Sequence, residues 1–413
     1  AQDCAVPDMT AHHNERADLM GKFSTDRQPY DDVVVTTPVS LPYVRFSDQT
    51  AHWWIGRALR ALVDGSGIAA RDIDGFCLSS FTAAPDTAIG LAEHLGLSVR
   101  WLDHVPLGGA SGITGIRRAA RAVQSGDCDV VACIGADTNQ RGSFGNTLAN
   151  FSRFSQDAVY PYGAGGTNAS FALIARNYME KFNVSREDLG RIAVAQRSNA
   201  LKNPNALMKE PLTIDQYMNA RSIADPIHLF DCVMPCAGAE AVLVMRQDTA
   251  RACGIAGAKL RSSIERHNAR SIDLMQTSGG WVEDADELYS MAGVRPDDID
   301  VVQTYDDYPV ICMMQMEDLG FCKKGEGAEF VRSHDLRIEG DFPHNTSGGQ
   351  LSCGQAGAGG SYLGLTEAVR QVLGTAGDTQ VDRANLALVS GFGMMTYTKG
   401  LSSCAVILSG DSA

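Results

Sequence analysis

Two segments in the second half of the chain carry residue types that could move a proton. The first reads YDDYP at 305–309 and places the phenol of Tyr305 beside the carboxyl group of Asp306. The second reads NTSGGQLSCGQAGAGG at 345–360 and directly follows His344. Because an unperturbed phenol has a pKa of about 10, Tyr305 needs a neighbour such as Asp306 or His344 to hold or accept its proton. The alternative is structural: Tyr305 would bond its hydroxyl at a buried strand end, and His344 would be a packed or surface imidazole.

The cysteines are the other candidate nucleophiles. The chain has 11 of them, an odd number, and several lie in apolar runs such as DVVACIGAD, where a thiol acts as a small hydrophobic side chain. Scattered cysteines of this kind are typical of a reducing compartment, so the sequence predicts a cytoplasmic protein. Cys232 and Cys236 are close together in DCVMPCAG, but no second pair or nearby His completes a zinc set, and we expect no metal. Cys353, in the glycine-rich segment, is either an alternative nucleophile or a packed side chain.

Composition excludes several classes of protein. The 413 residues are 44% hydrophobic and 20% charged, which is ordinary for a globular chain and excludes disorder. The formal net charge of −14 argues against a nucleic-acid partner, because a polyphosphate backbone would be repelled on average. No run approaches the ~20 apolar residues that span a bilayer, and no signal-peptide pattern is present, so we expect no membrane span.

Short β-rich runs alternate with longer amphipathic runs from residue 32 onward. DDVVVTT, IDGFCLSS and CDVVACIGAD are typical of strands, and HWWIGRALRALVDGSG and SGITGIRRAARAVQSG are typical of helices. This rhythm predicts an α/β fold with a parallel sheet. We expect an irregular N-terminal arm at 1–31, a first half at 32–250 that includes a helical lid insertion at 140–235, and a second half at 251–413.

The two halves share a pattern that indicates duplication. The first half contains GGASGITGIRRAARAVQSGDCDVVACIGAD, and the second contains GGQLSCGQAGAGGSYLGLTEAVRQVLG followed by ANLALVSGFG. Each runs from a Gly-Gly turn through an amphipathic helix to a buried strand. Duplication predicts two similar α/β halves packed together, with a binding site where the two glycine-rich helix starts converge.

From about residue 32 onward the chain resembles the thiolase superfamily. The motifs that carry the resemblance are GGASG (108–112), DCVMPCAGAEAVLV (231–244), YDDYP (305–309), NTSGGQLSCGQAGAGG (345–360) and GFGMM (391–395). The resemblance implies a duplicated thiolase-like fold, with two βαβαβαββ halves in a five-layer α-β-α-β-α arrangement and a helical lid insertion. The insertion and EDLGFCKKGEG (317–327) are similar to the branch of lipid-transfer-protein-type thiolases, whose members often bind an OB-fold and zinc-ribbon partner.

The resemblance also assigns site residues. A thiolase has its nucleophilic cysteine at a helix start, which depresses the pKa of the thiol. This chain has Gly109 at that position, and the hydroxyl of nearby Ser111 is expected to be structural at the helix start. The family's second catalytic group, a histidine, is Gln355 here, which can donate a hydrogen bond to an enolate oxygen but cannot titrate near neutrality. Tyr305 takes the place of a family asparagine and is similar to the catalytic tyrosine of the steroid side-chain-cleaving aldolases.

These replacements imply a changed reaction. Retro-aldol cleavage of a β-hydroxyacyl-CoA needs a base for the hydroxyl proton and donors for the enolate, but no covalent nucleophile. The expected catalytic residues are Tyr305, Asp306, His344 and Gln355, and the expected oxyanion or helix-start residues are Gly109, Ser111, Gly348, Gly349 and Gly354. Two alternatives stay open: a thiolase-type acyltransferase with Cys353 as a relocated nucleophile, and a non-catalytic subunit that binds an acyl-CoA or lipid.

The resemblance implies a coenzyme A thioester as the substrate, no covalently bound cofactor, and a homodimer in addition to the OB-fold and zinc-ribbon partner. Substrate selection is assigned to the insertion, with YPYGAGG (160–166) as a wall of the acyl pocket. The basic residues of RSNALKNPNALMK (197–209) are candidates to bind the phosphates of coenzyme A through charge-assisted hydrogen bonds. Alternatively, these basic residues lie on a solvated helix face and bind no ligand.

Overall fold

The computed structural model describes residues 27–143, 145, 161, 163, 166–270 and 272–410. Positions 1–26 of the expected N-terminal arm therefore lie outside the described residues. The strands are β1 Val33–Ser40, β2 Gly75–Ser79, β3 Trp101–His104, β4 Val130–Asp137, β5 Ser222–Ala224, β6 Ile227–His228, β7 Gly238–Arg246, β8 Gly257–His267, β9 Val301–Gln303, β10 Leu386–Thr396 and β11 Lys399–Ser409. The α-helices are α1 Ala51–Ser66, α2 Ala88–His94, α3 Ser111–Ser125, α4 Gly166–Phe182, α5 Arg186–Ala200, α6 Ile214–Met218, α7 Gln247–Ala252, α8 Trp281–Ala292, α9 Pro309–Asp318, α10 Gly327–Ser333, α11 Gly349–Cys353 and α12 Gly360–Val372.

Nine strands form one sheet in the order β3-β2-β4-β7-β1-β8-β11-β10-β9. The two halves meet where β1 and β8 pair antiparallel, from Val34 opposite Lys259 to Thr36 opposite Gly257. Outward from this junction, β1-β7-β4-β2 and β8-β11-β10-β9 each show two antiparallel pairings followed by a parallel one. The same order and directions in both halves confirm the predicted α/β fold and its duplication. The prediction of a parallel sheet was wrong, because most strand pairings are antiparallel and the sheet is mixed.

The halves differ at their outer edges. The first half follows the predicted βαβαβαββ order, from β1 to β7 with α1, α2 and α3 between its strands. In the second half, the described residues contain no strand equivalent to β3, and a single parallel bridge between Val302 and His344 occupies that edge. His344 is therefore held at the sheet edge just before the chain enters the glycine-rich segment.

Helices α3 and α12 lie between the two half-sheets and contact each other as well as strands of both halves. Helix α3 starts after the Gly-Gly turn and ends at Gly126, whose φ of 82° allows the left-handed turn that closes the helix. Helix α1 packs on the outer face of the first half-sheet through Trp54, Ile55 and Leu62, which recur at helical spacing. Helix α8 packs on the outer face of the second half-sheet. These layers agree with the predicted five-layer arrangement.

The insertion between β4 and β7 is helical where it is described. It contains α4, α5, α6 and the two-stranded β5–β6 sheet. A capping box between Ser185 and Asp188 starts α5, because each side chain accepts from the other residue's backbone N–H. Tyr160, Tyr162, Ala164 and Gly165 of the predicted pocket wall lie outside the described residues. Among the described helices, none is both long and apolar enough to cross a membrane.

Candidate active site

A cavity of about 640 Å³ lies where the start of α3 faces the chain after β9. Its polar and glycine lining includes Gly108, Gly109, Tyr305, Asp307, Tyr308 and Gln355. Apolar and aromatic side chains form much of the remaining wall, among them Phe46, Phe81, Met208, Phe230, Met234, Phe392 and Met395. A mostly apolar cavity with a few convergent polar groups is typical of a site for an organic substrate.

The ring of Tyr305 occupies the space directly over Gly109. A Cβ atom added at Gly109 would overlap ring carbons of Tyr305 and the carbonyl oxygen of Phe392. A side chain at position 109 therefore does not fit this arrangement. The sequence predicted that Gly109 lacks the nucleophile, and the structure places a phenol in the space that a nucleophilic side chain would need.

The backbone of Tyr305 is fixed by one buried amide, Gln315 on α9. The N–H of Tyr305 donates to Oε1 of Gln315 at 3.2 Å, and Nε2 of Gln315 donates to the carbonyl of Tyr305 at 2.7 Å. Ser390 on β10 donates its hydroxyl to the same Oε1 at 2.7 Å. Because these groups are buried, breaking one bond would leave an unsatisfied polar atom, so the network holds the phenol in place.

Gln355 connects Tyr305 to a second acid, Asp307. Its Nε2 donates to the hydroxyl oxygen of Tyr305 at 3.2 Å and to Oδ1 of Asp307. The backbone of Gln355 is held in turn, since its N–H donates to the carbonyl of Met234 at 2.8 Å and its carbonyl accepts from Cys236 at 2.9 Å. With Nε2 bonded to two protein acceptors, Gln355 orients the phenol and the carboxyl group. The predicted donation to an enolate would require one of these bonds to break.

Burial changes the acidity of both groups in this pair. The pKa of Tyr305 is raised well above its usual value by burial and then by the Asp307 carboxylate. Burial, and to a smaller degree repulsion by Asp306, raises the pKa of Asp307 to about 7, although a hydrogen bond with Tyr305 acts in the opposite direction. A phenol that keeps its proton at neutral pH thus lies beside a carboxyl group that titrates near neutrality, which suits a proton relay.

Asp307 is the residue that the sequence analysis missed. YDDYP has two adjacent carboxyl groups, and only Asp306 was chosen. In an extended chain, residues two apart point to the same side, so the spacing of Tyr305 and Asp307 was the available signal.

Asp306 points away from the cavity. Its carboxylate accepts the backbone N–H groups of Gln350 at 3.0 Å and Leu351 at 3.2 Å, at the start of α11. It does not line the cavity, and burial raises its pKa to about 6 in spite of these hydrogen bonds. The expectation that Asp306 holds the phenol proton is therefore not met by this geometry, because the helix start has captured the carboxylate. Asp306 anchors α11, which leads the chain to Gln355.

His344 is also turned away from the cavity. The residue is fully buried, its Nε2 shares a hydrogen bond of 2.7 Å with the hydroxyl of Thr304, and its backbone forms the bridge to Val302. Burial lowers the pKa of His344 to about 3, so the imidazole is neutral. His344 is therefore not the neighbour that holds or accepts the proton of Tyr305 in this geometry, because the bridge to β9 directs its ring into the interior. The backbone carbonyl of His344 accepts from Asn199 at 3.0 Å, which ties the edge to α5.

The predicted oxyanion glycines other than Gly109 do not line the cavity. Gly348, Gly349 and Gly354 have φ angles of 101°, 59° and 110°, which favour glycine. An added Cβ would meet Ala200 at the first, Asp306 at the second, and Leu207 and Cys236 at the third. Close packing of the segment explains these glycines, and their backbones do not supply the expected donors to the cavity.

Ser111 and Cys353 have structural contacts. The hydroxyl of Ser111 accepts the N–H of Leu107 at 3.0 Å, so it ties the preceding turn to the helix and does not cap the helix N–H groups. The thiol of Cys353 donates to the carbonyl of Ser347 at 2.9 Å, is buried outside the cavity, and has its pKa raised well above the usual value by burial. These contacts give neither side chain access to a substrate in the cavity.

Metal ligands are not grouped at this site. Throughout residues 27–410, leaving aside the undescribed positions, no group of three or more His, Cys, Asp or Glu side chains could hold a metal ion. Cys232 and Cys236 both line the cavity wall. Burial raises the pKa of Cys232 to about 12 and raises that of Cys236 as well, so neither is a ready thiolate.

Two family profiles match the greater part of the chain. The family described as Thiolase, N-terminal domain matches residues 33–221, and the family described as Thiolase C-terminal domain-like matches residues 262–409. The chain belongs to the thiolase superfamily. Gly109 and Gln355, which the resemblance predicts at the positions of the family's cysteine and histidine, both line the cavity.

Individual proteins are similar to this chain over most of their own length. A steroid side-chain-cleaving aldolase of Thermomonospora curvata is 32% identical over 82% of this chain and 90% of its own length. A 17-hydroxy-3-oxo-4-pregnene-20-carboxyl-CoA lyase of Mycobacterium tuberculosis is 31% identical over the same shares. A solved structure named Ltp2-ChsH2(DUF35) aldolase superimposes with a TM-score of 0.80 at 27% identity, covering 92% of this chain and 98% of that one.

Proposed function

We propose that this chain is a carbon–carbon lyase that cleaves a β-hydroxyacyl-CoA thioester by retro-aldol chemistry. The observation that carries the proposal is the ring of Tyr305 over Gly109: it excludes a nucleophilic side chain there and places a phenol in the cavity. The similar proteins named as an aldolase and a lyase support the same class of reaction.

The reaction follows from the Tyr305 and Asp307 pair. The β-hydroxyl of the substrate passes its proton to Tyr305 as Tyr305 passes its own to the Asp307 carboxylate. The Cα–Cβ bond breaks, the hydroxyl carbon becomes a carbonyl, and the bonding electron pair moves to Cα as the thioester enolate. The enolate takes a proton back at Cα and leaves as a shorter acyl-CoA. No covalent intermediate and no redox step are needed.

The relocated-nucleophile alternative lacks a thiolate in the cavity. Cys353 lies outside the cavity with its thiol bonded to a carbonyl, and the two cysteines that line the cavity keep their protons. The geometry therefore favours the lyase over an acyltransferase.

A direct assay tests the proposed function. Purified protein is incubated with 3-hydroxy-3-methylacyl-CoA thioesters of increasing length, and the products are separated by liquid chromatography with mass detection. We expect a ketone and acetyl-CoA in equal amounts, and no acyl adduct on the intact protein. An acyl-protein adduct, or β-ketoacyl-CoA cleavage that depends on free coenzyme A, would instead support the acyltransferase.

The assembly is part of the proposal. We propose a homodimer and a second protein with an OB-fold and zinc ribbon, and the assay should be run with and without that protein. The solved relative named Ltp2-ChsH2(DUF35) aldolase carries two protein names, which supports a heteromeric assembly. Size-exclusion chromatography of the coexpressed proteins tests it: separate elution of the two proteins at micromolar concentration would argue against the complex.

The pH dependence of activity should report Asp307. Its pKa of about 7 means that the carboxylate needed as final proton acceptor forms as the pH rises through 7. We expect kcat/KM to rise about tenfold per pH unit below 7 and to level off above it. Asp307→Asn should lower kcat about 100-fold and remove the rise in kcat/KM below pH 7. Asp306→Asn is the matched control and should keep the rise in kcat/KM, displaced to lower pH because the repulsion that raises the pKa of Asp307 is lost. A rise that survives unchanged in Asp307→Asn would assign it to another group.

The same carboxyl group should oppose folding. The pKa of Asp307 in the folded chain, about 7, is above the ~3.9 of an unfolded aspartate, so stability is lost as the pH rises between these values. Asp307→Asn removes this cost, and we expect its thermal midpoint at pH 8 to exceed that of the wild type by about 2–4 °C. Differential scanning fluorimetry at pH 5 and pH 8 measures the difference, which should shrink at pH 5. A lower midpoint at pH 8 would contradict the assignment.

A further inference from the structure

A guanidinium group that has no counter-charge among the described residues lines the active-site cavity. Arg197, on α5, is 6% exposed, and its Nε and Nη1 donate to the hydroxyl of Ser352 at 3.0 Å and to the carbonyl of Glu210 at 3.1 Å. Within the described part of the chain, these are its hydrogen bonds, and it forms no ion pair. Nη2 is therefore left without a partner among the described residues.

The surroundings of Arg197 do not neutralise its charge. Its two acceptors are a neutral hydroxyl and a neutral carbonyl, and the Phe230 ring lies 5.8 Å from the guanidinium carbon. Burial lowers the pKa of Arg197, and no acid of the described residues offsets this effect. A buried charge without a partner is costly, and an anion that enters the cavity and bonds Nη2 would relieve that cost.

The cavity offers other arginines to the phosphates of coenzyme A. Arg45 and Arg221 also line it, are exposed, and form no ion pair with any described residue. The phosphates of coenzyme A carry several negative charges, so their burial costs more desolvation than the burial of a single carboxylate, and exposed guanidinium groups suit them better. This leaves Arg197 for a different anionic group.

The other basic residues of the segment 197–209 have protein partners. Lys202 pairs with Glu339, and Lys209 donates to the carbonyls of Asn203 and Pro204. Neither lysine lines the cavity. The segment therefore presents one cation to the substrate, and that cation is Arg197.

We propose that Arg197 binds a carboxylate carried by the acyl group, so that the substrate is an anionic acyl thioester. The proposal rests on the proposed function only in taking a coenzyme A thioester as the ligand. A guanidinium forms paired hydrogen bonds with a carboxylate, and such charge-assisted bonds are strong where water is excluded. The apolar wall around Arg197 would contact the carbon chain that carries the carboxylate.

Binding without turnover tests the proposal separately from the lyase activity. Dissociation constants are measured by titration calorimetry on the full chain with succinyl-, glutaryl-, adipyl- and suberyl-CoA. Each is compared with the monocarboxylic acyl-CoA of the same carbon number, and free coenzyme A is measured as well. None of these ligands has a β-hydroxyl group, so none is cleaved. We expect one chain length at which the dicarboxylic ligand binds about 10- to 100-fold tighter than its neutral counterpart. Equal affinity at every length would overturn the proposal.

Two variants separate charge recognition from support of the fold. Arg197→Met should abolish the carboxylate preference while leaving affinity for the neutral thioester within about threefold. Ser352→Ala, which removes the partner of Nε but keeps the cation, should retain most of the preference. If Arg197→Met weakens free coenzyme A and every thioester equally, Arg197 binds phosphate and the proposal is wrong. If Arg197→Met does not fold, the comparison of dicarboxylic and monocarboxylic acyl-CoA ligands on the wild type still tests the proposal.

Discussion

Tyr305→Phe should lower kcat for β-hydroxyacyl-CoA cleavage about 1000-fold and leave KM within about threefold. The substitution removes the hydroxyl that bonds Gln355 and lies beside Asp307, and it interrupts the path of the proton from the substrate. The aromatic ring still fills the space over Gly109, so the thermal midpoint should change little. Steady-state kinetics with the cleaved thioester, together with a melting curve, measure both effects.

Tyr308→Phe is the matched control for this prediction. Tyr308 is also a buried phenol in the cavity wall, but its hydroxyl bonds Asn168 and its ring stacks on Phe171 at 4.0 Å between centroids. Its loss should cost less than about tenfold in kcat, because no titrating carboxyl group is bonded to it. Equal losses in the two variants would show that the cavity wall, and not the proton relay, was disturbed.

The layer order and the duplication could be predicted from the sequence because both depend on local patterns. Alternating strands and helices identify the α/β class, and the Gly-Gly turns before α3 and before α12 mark the two repeats. The same reasoning predicted one strand too many in the second half, where a single bridge at His344 takes the place of the third strand. A bridge of one residue pair leaves no periodic signal in the sequence.

The orientation of the site residues could be predicted only in part. Tyr305 and Gln355, both predicted as site residues, line the cavity. Asp306 and His344 were chosen for their closeness in sequence, but side-chain direction was decided by distant partners, the start of α11 in one case and Thr304 in the other. These partners are joined to them by tertiary structure, which sequence spacing does not reveal.

The absence of a nucleophile at Gly109 was visible in the sequence, but its cause was not. The overlapping atoms belong to Tyr305 and Phe392, which come from the second half, whereas Gly109 starts a helix of the first. Only the packing of the two halves shows that the phenol, which we propose as the proton relay, requires a glycine at this position. Position 109 is thus part of the catalytic geometry although it has no side chain.

Gly109→Ala should therefore lower kcat at least 100-fold and destabilise the fold by about 1–3 kcal/mol. The added methyl group meets the Tyr305 ring and the carbonyl of Phe392, and a displacement of the phenol by about 1 Å is enough for such a loss in rate. Kinetics and denaturant unfolding measure the two effects. Gly90→Ala is the matched control, because Gly90 is an exposed residue of α2 whose added Cβ meets nothing within 4 Å.

A double-mutant cycle with Tyr305→Ala separates the two contacts of that methyl group. If the ring is the main obstacle, Gly109→Ala should destabilise the Tyr305→Ala protein less than the wild type, and the difference is the coupling free energy between the positions. Equal costs in both backgrounds would assign the strain to the Phe392 carbonyl alone. An active Gly109→Ala protein would mean that the phenol does not need its observed position, and the mechanism built on Tyr305 would fail with it.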